Sequence, residues 1–85
     1  MTDFYKILEV LPNAAQEEIK RSYRRLARLY HPDGANIHTS TKTFHDIQRA
    51  YETLSDPALR RIYDKKNGFE NWAQEKIDAY RKSQS

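Results

Sequence analysis

The chain has 85 residues, 38% apolar and 32% charged, with no cysteine; 15 Lys and Arg against 12 Asp and Glu leave a net charge of +3. This bounds it to one domain near the lower end of what folds unaided, with a thin core and neither disulfides nor thiolate zinc sites to supplement it. No apolar run approaches the roughly 20 residues that span a bilayer, and "MTDFYKILEV" lacks the charged start and apolar middle of a secretory signal, so an intracellular, cytoplasmic chain is expected.

Thr2 or Asp3 is placed to cap a short helix over "FYKIL", in which Phe4 and Leu8 share a face. Pro12 and Asn13 then break the chain. Asn13 is a good N-cap, and Gln16 three residues later completes a capping-box pattern. From residue 14 to residue 30 the periodicity is helical. Ala15, Ile19, Ser22, Leu26, Leu29 and Tyr30 gather on one face, with Tyr23 at its edge. Lys20, Arg21, Arg24, Arg25 and Arg28 occupy the opposite arc, with Glu17 and Glu18 among or beside them. This stretch holds five basic and two acidic residues, leaving ten of each sign elsewhere. One helix therefore carries the whole excess charge, and an electrostatic partner should meet it first.

Residues 32–40 are rich in Pro, Asp, Gly, Asn, Ser and Thr and read as a loop. A third helix is predicted over residues 41–54, with Phe44, Ile47, Tyr51 and Leu54 as its core stripe. Two helices with one apolar stripe each can bury them against one another as an antiparallel pair. Asp56 as N-cap and Pro57 at the first helical position start a fourth, short helix, and Leu59, Ile62 and Tyr63 give it an apolar side. Asn67 and Gly68 end it. Phe69, Trp72, Ala73, Ile77 and Tyr80 follow near helical spacing and predict a C-terminal helix whose aromatics pack against the fourth. The class is all-α: a short helix, a pair of long helices joined by a loop, a short fourth helix and a C-terminal one.

The segment "LYHPDG" ends the second helix. As structure it is nearly explained by turn chemistry: Pro32 biases His31 away from helical geometry, Asp33 can bond loop backbone, and Gly34 can take positive φ. Yet Lys20, Arg24, Ala27 and His31 form one row along the helix, flanked by Tyr23. The basic face runs directly into the His-Pro-Asp corner. Such a site suits docking with a partner that offers acidic residues to the helix and a cation to Asp33, rather than a pocket for chemistry.

The order "DFYKIL", "IKRSYRRLA", "HPD" and "AYETLSDPALRRIYD" resembles the J domain, the defining module of DnaJ-type co-chaperones. The resemblance runs from residue 3 to about residue 68. It implies a J domain over residues 1–68 followed by a C-terminal extension over 69–85, with HPD as the loop between the two long helices. It also implies a function: docking on a DnaK-class heat-shock ATPase in its ATP state and stimulation of ATP hydrolysis, coupled to the folding of client polypeptides. Carried onto matching positions, the partner-binding residues are Lys20, Tyr23, Arg24 and Arg25 on the helix, then His31, Pro32 and Asp33 at the turn. Arg28 joins them from its place on the same face. Neither catalytic residues nor a cofactor are implied. Two features depart from the common pattern: Glu9 stands where the family often has Gly, and Gly34-Ala35 follows HPD where a basic residue is frequent, which is expected to weaken docking. Met1 is read as a natural start.

Other readings rank lower. A basic helix in a small domain prompts nucleic-acid binding, the alternative from a different class; the basic helix is the long central one, however, and no base-reading Asn/Arg pattern stands out. His31, His38 and His45 are seven residues apart across a loop and a helix, which fits no standard zinc spacing. A His31–Asp33 hydrolytic pair has neither a nucleophile motif nor an oxyanion device behind it.

Overall fold

The computed structural model describes residues 3–30 and 44–84, and the described residues form five helices: α1 (Phe4–Ile7), α2 (Gln16–Tyr30), α3 (Phe44–Leu54), α4 (Pro57–Asn67) and α5 (Gln74–Gln84). The expected all-α class with its antiparallel long pair, short fourth helix and C-terminal helix holds. The predicted loop over residues 32–40 and the predicted first turn of α3 lie outside the described residues.

Asp3 is the residue that caps α1: its Oδ1 accepts the backbone N–H of Tyr5 at 3.0 Å and of Lys6 at 3.2 Å. The other end of α1 is closed by Val10 N–H on the Tyr5 carbonyl and Glu9 N–H on that of Lys6, at 3.0 and 3.1 Å. This pairing needs a left-handed residue just past the helix, and Glu9 supplies it at φ 58°. Glycine is the ordinary occupant of such a position, and a residue with a Cβ costs about 1 kcal/mol more there. Gly68 closes α4 in the same region, at φ 78°.

The start of α2 differs from expectation. Asn13 lies in a turn rather than capping the helix, and the first helical residue is Gln16, with the Ala15 carbonyl accepting from Ile19 N–H at 3.1 Å. Arg60 Nη2 of α4 donates to the Pro12 carbonyl at 2.9 Å and the Ala14 carbonyl at 2.8 Å and so holds the turn that precedes the helix. Ala15 is exposed, and Leu29 is 48% exposed, so the buried face of α2 narrows to Ile19, Ser22 and Leu26, with Tyr23 and Tyr30 half-buried. Ser22 is tolerated in the core because its hydroxyl donates to the Leu8 carbonyl at 2.5 Å.

Ile47, Ala50 and Leu54 of α3 pack with Ile19 and Leu26 of α2 and with Tyr5, Leu8 and Val10 to form the core. Each fully buried Leu or Ile stabilises the fold by about 1.5–3 kcal/mol. Phe44 and Tyr51, expected in the core, are only half-buried, Tyr51 packing against it.

On α4 the predicted apolar side is only partly covered: Leu59 is 46% and Ile62 56% exposed, Tyr63 is half-buried, and no residue of this helix is fully buried. Tyr63 and Arg60 anchor it. The Tyr63 ring stacks on Phe4 with centroids 4.8 Å apart, and its hydroxyl accepts the Phe4 N–H at 2.9 Å. The Tyr5 hydroxyl donates to Asp64 Oδ1 at 2.5 Å and accepts from Arg60 Nε at 3.0 Å.

Helix α5 is held by aromatic side chains. Phe69 lies 5.0 Å from both the Tyr5 and the Trp72 ring, and Trp72 meets Tyr80 at 5.6 Å. Tyr80 and Ile77 are buried, and the Tyr80 hydroxyl donates to Asp3 Oδ2 at 2.8 Å. One carboxylate thus caps α1 and tethers α5. Trp72 Nε1–H donates to the Gly68 carbonyl.

Burial raises the ionisation of the Tyr5 hydroxyl well above its ordinary value of 10.0, reinforced by its bond to Asp64 and opposed by Arg60. Burial raises that of Tyr63 as well. The folded state therefore holds the Tyr5 proton more tightly than the unfolded chain. The stabilisation is complete below about pH 10 and drains as pH climbs past it, because the unfolded chain releases its proton first. Melting curves between about pH 8 and 11 should fall more steeply for the wild type than for Tyr5→Phe. Parallel curves would remove Tyr5 as the source.

Candidate partner-docking face

Four of the described candidate residues, Lys20, Arg24, Arg25 and Arg28, sit on the exposed side of α2. Periodicity dictates this: once Ile19, Ser22 and Leu26 are turned into the core, Lys20, Arg24, Arg25 and Arg28 have no place but solvent. They line one shallow groove together with Arg21 and Glu17. Arg21 is an addition to the expected set. Its spacing of four and seven residues from Arg25 and Arg28 already carried that signal.

Clustering cations at i,i+3 and i,i+4 costs an isolated helix about 0.2–0.5 kcal/mol per pair. Two features of α2 offset part of that cost. Glu17 and Glu18 fall in its first turn and Arg28 in its last, the arrangement the helix dipole favours. The core face holds the helix regardless.

Tyr23 is placed differently from the cations. It is half-buried and stacks on Tyr51 of α3, ring centroids 3.9 Å apart and nearly parallel at 9°. Its ring therefore ties the two long helices together at the margin of the basic face. Arg25 is partly engaged within the chain: Nη2 lies 2.9 Å from Glu9 Oε1 and donates to Ser22 Oγ at 3.3 Å. Nothing in the hydrophobic periodicity pointed to Glu9, which lies 16 residues away. His31, Pro32 and Asp33 lie outside the described residues.

The face offers guanidinium and ammonium donors, with Glu9, Glu17 and Glu18 as the acidic residues at its margin. Its chemistry suits carboxylates or phosphates, with bidentate geometry open to an arginine that meets a carboxylate. Among the described residues no group of three His, Cys, Asp or Glu gathers as metal ligands, and His45 is exposed on α3. No helix among them is long and apolar enough to cross a membrane.

The DnaJ domain family model matches residues 3–64. The chain belongs to the DnaJ domain family. Curated relatives agree. Over 62 residues the J domain is 56% identical to Chaperone protein DnaJ 2 of Thermus thermophilus, covering 73% of this chain and 22% of that protein. It is 58% identical over 64 residues to Chaperone protein DnaJ of Caldicellulosiruptor saccharolyticus, covering 73% of this chain and 16% of that protein. With Chaperone protein DnaJ 2 of Aquifex aeolicus the identity is 52% over 62 residues, covering 73% of this chain and 16% of that protein. The chain thus spans less than a quarter of the length of these relatives. The resemblance drawn from the four motifs is correct, and the groove-lining cations of α2 fall inside the matched segment. Phe69, Trp72 and Tyr80 lie beyond the matched residues, yet Phe69 packs on Tyr5 and Tyr63 within them, and Trp72 and Tyr80 pack on Phe69.

Proposed function

We propose that the chain is a co-chaperone J domain that docks on a DnaK-class heat-shock ATPase in its ATP state and stimulates its ATP hydrolysis, coupled to the folding of client polypeptides. The observation that carries this reading is the DnaJ domain match over residues 3–64. The exposed cationic groove of α2 supports it, because it suits an anionic protein surface.

In this reading Lys20, Arg24, Arg25 and Arg28 steer the encounter and supply a salt-sensitive part of the affinity. Tyr23 borders the contact from the α2–α3 seam. Asp33 makes the specific contact with a cation of the ATPase, Pro32 fixes its approach, and His31 holds the turn by a hydrogen bond. The J domain contributes no catalytic group. It binds the hydrolysis-competent arrangement of the ATPase better than the alternatives and so shifts that population. Residues 1–68 form the docking module and 69–85 an extension, and the work takes place in the cytoplasm, where such an ATPase is present.

Single-turnover ATP hydrolysis by a purified bacterial DnaK, with and without this chain, tests the proposal. Faster hydrolysis is the expected result, and an unchanged rate overturns it. Charge reversal at Arg24 and Arg25 should weaken docking severalfold at low salt and much less near 0.5 M salt, since exposed charges are screened within a few ångströms there. An equal loss at both salt concentrations would count against steering.

A further inference from the structure

Glu9 occupies a backbone position that glycine fills without strain, at φ 58°, one residue past the cap of α1. Its side chain crosses to the docking helix and meets Arg25 Nη2 at 2.9 Å. The same Nη2 reaches Ser22 Oγ, which in turn donates to the Leu8 carbonyl, so the guanidinium is drawn back toward the α1–α2 junction. Arg25 is also a wall of the cationic groove, beside Lys20, Arg24 and Arg28. The side chains of Arg25 and Glu9 are 53% and 46% exposed, so the pair is open to exchange with an incoming carboxylate. A solvent-exposed pair of this kind is weak enough to be displaced and strong enough to matter in a competition.

We propose that Glu9 is an internal competitor for Arg25: it occupies the guanidinium until a partner carboxylate displaces it, and thereby sets the affinity and selectivity of the docking face. This deepens the co-chaperone reading and rests on it. A partner that places a carboxylate opposite Arg25 recovers what it displaces. A partner with diffuse negative charge but no carboxylate there must leave the internal pair intact and engages one cation fewer. Glu9 so discriminates among acidic surfaces by withholding one arginine from those that do not fit.

The test is Glu9→Gln, which keeps a side chain at the left-handed position and removes only the charge. Binding to purified bacterial DnaK with ATP bound should tighten about two- to fivefold at low salt, and the gain should shrink at high salt. In an Arg25→Gln background the same Glu9→Gln change should give no gain. A gain that persists undiminished in that background is a general charge effect and overturns the competitor role, as does the absence of any gain in the wild-type background. Glu9→Gly should give the same gain and also raise the melting temperature, because the left-handed strain is relieved. Titration with poly-L-glutamate separates this inference from the function it rests on. The same double-mutant pattern on polyglutamate, with DnaK unbound by every variant, would overturn the co-chaperone docking and keep the competition; loss of the pattern on both probes overturns the competition.

Discussion

Replacement of Asp33 by Asn is expected to abolish stimulation of the DnaK-class ATPase while leaving circular dichroism and melting nearly unchanged. The substitution preserves size and the capacity to bond backbone, so the turn chemistry expected from the sequence His31-Pro32-Asp33-Gly34 survives it. What it removes is the charge. Truncating one partner of a desolvated, hydrogen-bonded charge pair costs about 2–5 kcal/mol, roughly a 30- to 4,000-fold loss of productive docking. His31→Gln is expected to behave alike, because in the proposed docking the imidazole serves to present Asp33 to the ATPase. Should either variant unfold, the turn is structural and the functional role assigned to it is wrong. In the proposed docking each arginine of α2 is one of several, so a single neutral substitution there should lower affinity, whereas Asp33 alone meets the cation of the ATPase.

Arg60→Ala is expected to produce the largest loss of stability among polar substitutions. Its Nη2 serves the Pro12 and Ala14 carbonyls, its Nε serves the Tyr5 hydroxyl, and its guanidinium lies 5.6 Å from the Tyr5 ring centroid. Truncation strands these acceptors in a partly buried setting and lets the turn before α2 relax, at a cost of about 2–3 kcal/mol. For a domain of this size that lowers the melting temperature by roughly 10–20 °C. Arg60→Lys should recover only part of this, since an ammonium cannot reach both carbonyls and the hydroxyl in the same fork. Thermal melts followed by circular dichroism measure it directly, and a shift of only a degree or two for Arg60→Ala would show that the network does not hold the fold. The ATPase assay then separates the two kinds of residue: Asp33→Asn loses function at full stability, and Arg60→Ala loses stability first.

The sequence by itself determined whatever depends on neighbours within a turn or two. The Asp3 cap, the Asp56–Pro57 start, the Gly68 stop and the cationic arc of α2 are consequences of local hydrogen bonding, backbone freedom and 3.6-residue periodicity, and each is where the pattern put it. The four ordered motifs carried the family in the same way. Periodicity names an apolar face but not what covers it, which is why Leu59 and Ile62 are exposed and why Tyr23 is committed to Tyr51. Only the tertiary structure decided the contacts between residues far apart in the chain. Arg60 reaches back 46 and 48 residues to the Ala14 and Pro12 carbonyls in the turn before α2, and Tyr80 reaches 77 residues to Asp3. The docking face divides along the same line. Its cations were legible because charge and spacing are local. That Glu9 holds one of them was not, because the contact exists only once α1 and α2 have packed and the Cβ-bearing residue at φ 58° has turned its carboxylate toward Arg25.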